Sequence, residues 1–84
     1  MLQIYEAVAA RPEKDAEFLS RFGWVFRRLD EPKKSVKLLK QSLALAAGDR
    51  EIRMRLAEAL QDAGDYAEAE RHFQVLLQAA PQRP

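Results

Sequence analysis

The 84-residue sequence has no cysteine and only one histidine. Disulfide bonds and thiolate-bound metals are therefore excluded, and a single histidine with no second one to pair with does not make a transition-metal site. We accordingly expect no metal and no cofactor. Glycine and proline are also scarce, with three and four residues, which is too few for the frequent turns of an all-β fold.

An excess of charge of one sign is missing as well. The chain has fourteen basic and thirteen acidic residues and a net charge of +1. As a whole it therefore has no electrostatic attraction to nucleic acid or to anionic membranes. No apolar run approaches the ~20 residues of a membrane span, and residues 1–10 lack the basic start of a signal peptide. We predict no nucleic-acid partner and no direct membrane insertion.

Patterns typical of enzymes are also absent. The sequence contains no glycine-rich phosphate loop and no Ser/His/Asp set. Glu58 and Asp62 lie four residues apart on one predicted helix face, but two exposed carboxylates without a pocket do not make an acid–base pair. His72 is expected on a helix surface. The chain is therefore predicted not to be an enzyme.

What the sequence does contain is material for α-helices. Hydrophobic residues make up 48% of the chain, they recur at helical spacing, and Ala, Leu, Arg, Glu, Lys and Gln lose little side-chain freedom in a helix. Pro32 suits a first helical turn, Gly48 is able to end the preceding helix in the left-handed conformation, and Gly64 is expected at the end of another helix. Because the connections are short, neighbouring helices should pack antiparallel. The predicted helices cover residues 2–10, 13–28, 32–47, 50–63 and 66–80.

The helices repeat with a period of 34 residues. At this offset the breaker Asp30–Glu31 falls on Gly64–Asp65. Core and small positions coincide in the same way: Phe22 with Leu56, Gly23 with Ala57, Phe26 with Leu60, Ser35 with Ala69, Leu39 with Phe73 and Leu43 with Leu77. A fixed period of this length indicates stacked helical repeats, each of which buries its apolar faces against its neighbours.

The segment Gly64-Asp65-Tyr66-Ala67-Glu68-Ala69, continued by Phe73 and Pro81, resembles the second half of the tetratricopeptide repeat motif. Small residues such as Gly23 let two helices approach closely, and Phe73 fills the space beside them. The first repeat departs from the motif, since Pro32 replaces Tyr66 there. The resemblance implies an all-α fold of antiparallel helix pairs stacked as a right-handed superhelical solenoid. It would contain about two and a half repeats: helix B of a partial repeat over 1–15, and full repeats over 16–49 and 50–84.

In this family the first helix of each repeat lines a concave groove, so the resemblance implies a scaffold that binds a partner protein or peptide. By position, the expected groove residues are Glu17, Ser20, Arg21, Trp24, Arg27, Arg28, Glu51, Met54, Arg55, Glu58, Gln61 and Asp62. The Lys, Asn and Arg residues that bind chaperone C-termini in this family are absent from the matching positions. A chaperone C-terminus is therefore not expected as a ligand.

Trp24 is the most informative groove residue, and two interpretations are open. Beside Arg27 and Arg28, it would anchor an extended segment whose carboxylates pair with the guanidinium groups. Alternatively, it fills space between adjacent helices, since tryptophans are highly buried on average.

Two further functions are open. The chain is predicted either to continue into a longer array or to self-associate through an uncapped terminal helix, using Phe73, Val75 and Leu77. A basic run in the first repeat would contact acidic protein, phosphate or an anionic polysaccharide, although a solvated face is the preferred interpretation. The run comprises Arg21, Arg27, Arg28, Lys33, Lys34, Lys37 and Lys40.

The Arg- and Ala-rich style of the repeats is similar to that of scaffolds in bacterial secretion machines, including exopolysaccharide exporters of the Pel type. This similarity implies a multiprotein assembly in a bacterium. The absence of cysteine suits both the cytoplasm and the periplasm, and we expect the periplasm.

Overall fold

The computed structural model describes residues 15–79, which form four helices and no strand. This confirms the all-α class. The helices are α1 (Ala16–Arg28), α2 (Pro32–Leu45), α3 (Arg50–Asp62) and α4 (Tyr66–Ala79). The predicted helix over 2–10, the partial repeat over 1–15 apart from its last residue, and Pro81 lie outside the described residues. The predicted repeat boundaries stay a prediction.

The first helix of each pair begins at a capping aspartate. The Asp15 carboxylate accepts a hydrogen bond from the backbone N–H of Phe18 at 2.7 Å, and the Asp49 carboxylate accepts one from Ile52 at 3.0 Å. A side chain in this position satisfies an N–H group that has no partner within the helix. Because Asp15 is extended, with φ −126° and ψ 168°, α1 begins at Ala16 and not at the predicted residue 13. The two caps are 34 residues apart.

The turn between the helices of a pair also repeats. Asp30 and Gly64 both have positive φ, at 62° and 85°. The residue that follows each of them donates its N–H to a carbonyl inside the preceding helix: Glu31 to Phe26 at 2.9 Å, and Asp65 to Leu60 at 2.8 Å. Glycine adopts this left-handed conformation freely, and aspartate is among the few other residues that tolerate it. The same turn is therefore built twice from different residues.

The expectation that Gly48 would end α2 in a left-handed conformation is wrong. Positive φ in the described part of the chain occurs at Asp30 and Gly64 alone. The helix ends at Leu45, two residues before the predicted end, because Ala46 leaves helical geometry at φ −141° and ψ 66°. The chain has thus already turned before it reaches Gly48.

Apolar side chains form two clusters. The larger one joins α2, α3 and α4 and contains Leu39, Leu43, Ile52, Leu56, Ala59, Leu60 and Ala69. The smaller one joins α1 and α2 through Leu19, Phe26 and Leu38. Each fully buried leucine contributes about 1.5–3 kcal/mol relative to exposure. Since α2 contributes to both clusters, it links the two helix pairs into one stack.

The contact between α1 and α2 is tightest at Gly23. A Cβ atom placed on Gly23 would lie 2.6 Å from Cγ of Leu39, so only glycine fits without movement. Ser35 lies fully buried at the same crossing, and its hydroxyl donates to the Gly23 carbonyl at 2.6 Å. Ser42, also fully buried, donates to the Ala16 carbonyl at 2.6 Å. The small residues of the first repeat therefore permit the close helix approach that the sequence predicts.

Replacing Gly23 with alanine should destabilise the chain by about 1–3 kcal/mol, because the new methyl group collides with Leu39. The better helix propensity of alanine, about 1 kcal/mol, offsets only part of this loss. Urea denaturation followed by circular dichroism measures the change. Gly48→Ala is the matched control, since no atom lies within 4 Å of its added Cβ. Equal stability of the two variants would contradict the close approach.

Candidate functional site

The first helices of the two pairs, α1 and α3, are tied together by polar side chains. The Arg55 guanidinium donates to the Ser20 hydroxyl at 2.7 Å. Further along, Arg27 donates to the carboxylates of Asp62 and, at 3.3 Å, of Glu58. We call the surface around these five residues the α1–α3 face. All five belong to the residues that the family resemblance places in a groove.

A depression of about 450 Å³ opens at one end of this face, between the N-terminal halves of the two helices. It brings together five of the predicted groove residues: Glu17, Ser20, Arg21, Glu51 and Arg55. Within each helix, an acidic residue pairs with the arginine one turn later, Glu17 with Arg21 at 3.1 Å and Glu51 with Arg55 at 3.4 Å. Asp49 also lines the depression, so its lining carries three acidic and two basic side chains, which suits a polar segment.

Arg27 is already engaged by the carboxylates of its own chain. Its bonds to Glu58 and Asp62 join residues 31 and 35 positions apart. Ion pairs that are partly exposed like these contribute up to ~1 kcal/mol each. We expected Arg27 to flank Trp24 and receive a carboxylate from a partner. In the structure it holds α1 against α3, which leaves that role to Arg28.

Trp24 is 45% exposed, and the Arg28 guanidinium lies over its ring, 5.3 Å from the ring centre. It follows Ser20 by four residues and precedes Arg27 by three, so it lies on α1 one turn from each of these two residues that contact α3. A stacked cation of this kind contributes about 0.5–1 kcal/mol at an exposed site. The geometry favours the exposed interpretation over the one in which Trp24 fills space between helices.

Met54 and Gln61 are exposed on α3 but lie apart from the depression. Their equivalents 34 residues earlier are Ser20 and Arg27, which face α3. By the same geometry, Met54 and Gln61 occupy the edge of α3 that turns away from α1. Conversely, Asp49 lines the depression although we did not predict it as a site residue. The sequence feature that could have identified Asp49 as a site residue is its position directly before α3.

The residues predicted for self-association are unequally exposed. Val75 and Leu77 are 41% and 73% exposed, whereas Phe73 packs against the larger core and is only partly accessible. Leu43, the equivalent of Leu77 in the first pair, is only 9% exposed and belongs to the cluster shared with α3. The face of α2 that carries Leu43 is therefore covered, while the matching face of α4 is open at Leu77.

His72 was expected on a helix surface, but it is partly buried between α3 and α4. Its Nδ1 lies 3.0 Å from an Arg53 guanidinium nitrogen, and its Nε2 lies 3.9 Å from the Glu68 carboxylate. Since arginine has no acceptor, Nδ1 must accept this bond, which requires the neutral ring. Burial, followed by the charge of Arg53, lowers the pKa of His72 below its usual 6.5, against the opposing effect of Glu68. Arg71 and Lys40 lower it further.

This lowered pKa makes stability depend on pH. The unfolded chain holds the proton more tightly, so stability is highest above pH 6.5 and falls as pH drops through the unfolded pKa. Between about pH 7.5 and pH 5.5, the wild-type chain should lose more free energy of unfolding than His72→Gln, which keeps an acceptor for Arg53. Urea titrations at both pH values measure the difference. An identical loss in both proteins would contradict the assignment.

Other kinds of site find no support between residues 15 and 79. No three or more His, Asp or Glu side chains in this range are grouped so as to hold a metal ion. Among the four helices, none has the length and apolar character needed to cross a membrane.

Comparison with known protein families gave a match. A family model described as tetratricopeptide repeat matches residues 27–84, which include α2, α3 and α4 entirely. Comparisons with curated proteins and with solved structures gave no match.

Proposed function

Because the chain belongs to the tetratricopeptide-repeat family, we propose that it is a scaffold that holds an extended segment of a partner protein on its α1–α3 face. Repeats of this family generally mediate protein–protein interaction and are typically not enzymes. The observation that carries the proposal is the exposed Trp24 ring beneath the Arg28 guanidinium. Large aromatic and arginine side chains are the residues that most often dominate binding energy.

The residues of the face indicate what kind of segment fits. The Trp24 ring offers an apolar platform, and Arg28 forms no ion pair with any residue in the described range. A partner segment with one apolar side chain would therefore cover Trp24, and an adjacent carboxylate would pair with Arg28. Beyond Ser20 the charged lining of the depression favours polar residues. We infer a segment that is apolar and acidic at one end and polar at the other.

We also propose that the scaffold works in a bacterial multiprotein assembly, in the periplasm rather than the cytoplasm. An exopolysaccharide export complex of the Pel type is the preferred example. The Arg- and Ala-rich style of the repeats supports this proposal. Loss of exported polysaccharide when the protein is deleted from its host would support it further, and unchanged export would reject it.

The α1–α3 face can be tested with a displayed random peptide library, selected on the wild-type chain and depleted on Trp24→Ala. We expect the selected peptides to combine acidic and apolar residues and to bind Trp24→Ala at least about tenfold more weakly. Trp24 is the only tryptophan, so its emission should shift to shorter wavelength when a peptide covers it. Because the side chain is half-exposed, the variant should keep its fold to within about 1 kcal/mol.

Tyr66→Ala is the matched control for this test. Tyr66 is a more exposed aromatic residue on α4, outside the α1–α3 face, and its removal should leave peptide binding unchanged. Two results would reject the proposal. In the first, the peptides bind Trp24→Ala as tightly as they bind the wild-type chain. In the second, Trp24→Ala unfolds and no peptide loses affinity specifically.

Self-association through α4 is a second candidate, favoured by the exposure of Leu77 where its equivalent Leu43 is covered. In this case the wild-type chain should sediment as a dimer or larger species at high micromolar concentration. Leu77→Ser should shift it to monomer, because the apolar contact is lost. Ser substitution at Leu45, another exposed leucine but on α2, controls for general solubility. A wild-type monomer at that concentration would reject this candidate.

A further inference from the structure

A second depression lies between α2 and the turn that joins α3 to α4. It has a volume of about 430 Å³. Its apolar part consists of Val36, Leu60 and Ala63, and the lysines are Lys33, Lys37 and Lys40. We call it the lysine cleft. It shares no lining residue with the α1–α3 depression.

The cleft carries an excess of positive charge that the described residues do not neutralise. Lys33 and Lys37 are exposed, lie one helical turn apart, and form no ion pair or hydrogen bond within residues 15–79. Lys40 is paired with Glu68 at 3.2 Å. Asp65 also lines the cleft and adds one negative charge to its edge. Two ammonium groups thus remain available beside an apolar surface.

The repeat does not require this arrangement. Thirty-four residues later, Lys33, Val36, Lys37 and Lys40 are replaced by Ala67, Glu70, Arg71 and Gln74. The second pair keeps the helix packing without the lysines or the valine. Lysine stems commonly cover apolar surface. Here Lys33 and Lys37 instead flank an open apolar depression along one side, without an acidic partner in the described range. The combination is therefore specific to α2 and indicates a ligand with both features.

We propose that the lysine cleft docks an acidic segment of a partner protein. One aliphatic or aromatic side chain lies on the partly exposed Val36 and Ala63, above the buried Leu60. Carboxylates on either side of it pair with Lys33 and Lys37. The Lys40–Glu68 pair shows that a carboxylate already reaches a lysine of this cleft. A uronate polysaccharide offers the same carboxylates but no apolar side chain for the floor, so a peptide fits the cleft better. This surface is separate from the α1–α3 face.

The test uses a random peptide library displayed on phage, selected on the wild-type chain and depleted on Lys33→Glu/Lys37→Glu. Selected peptides should carry Asp or Glu around a Leu, Ile or Phe. Their Kd for the double variant should rise about tenfold or more, since two favourable charge pairs become repulsive. Ala63→Phe should weaken binding to the same extent without any change of charge, because the new ring fills the floor. Circular dichroism checks that each variant is folded.

The control is Arg50→Glu/Arg71→Glu, which changes the net charge equally at two exposed positions outside the cleft. It should leave Kd within about twofold. Trp24→Ala should also leave it unchanged, so failure at one surface is distinguishable from failure at the other. Three results would overturn the proposal. They are peptides that bind the cleft variants normally, a selection that yields no cleft-dependent peptide, and alginate that binds through Lys33 and Lys37 while no peptide does.

Discussion

The structure depends on the close approach of α1 and α2 at Gly23. Leu39 occupies the space that a side chain on Gly23 would need, and the Ser35 hydroxyl bonds to the backbone carbonyl there. With α2 held this near, Leu39 and Leu43 extend from the first pair into the cluster shared with α3. The position of α3 beside α1, and hence the whole α1–α3 face, follows from this one crossing.

Apolar and polar contacts join different helices in this fold. Buried leucines and small residues join α2 to its neighbours, whereas hydroxyl, guanidinium and carboxylate groups join α1 to α3. The polar ties are partly exposed and contribute little stability, so they position the face more than they hold the fold. A face built in this way can change its side chains, and therefore its ligand, while the core stays as it is. Trp24 and the lysines of the lysine cleft lie outside the repeated packing positions.

The sequence alone predicted the helical class, the period and the start of three helices, because Pro32, Asp49 and the Gly64–Asp65 turn act locally. It did not predict features that depend on the backbone conformation of a single residue or on contacts between residues far apart in sequence. The end of α2 depends on the conformation of Ala46 and not on Gly48. The bond from Arg27 to Glu58 and Asp62 spans more than thirty residues and depends on how two helices pack.

The same distinction, between what the sequence predicts and what depends on helix packing, applies to the site residues. The family resemblance implied which helices form the groove, and the structure adds that Trp24 is exposed and that Met54 and Gln61 lie on another edge. The lysines were visible as a basic run, but the apolar floor beneath them was not, because Leu60 comes from α3 and Ala63 directly follows that helix. The partial burial of His72 required knowledge of the α3–α4 packing.

The two capping aspartates have a consequence for how the chain folds. Asp15 and Asp49 each define the start of a helix through a bond to a residue three positions away, and each helix pair closes through a turn of a few residues. Contacts between elements adjacent in sequence keep the contact order low, and chains of low contact order fold quickly. Each pair also contains its own start and turn signals, so ordering can begin in either pair and spread to the other through α2.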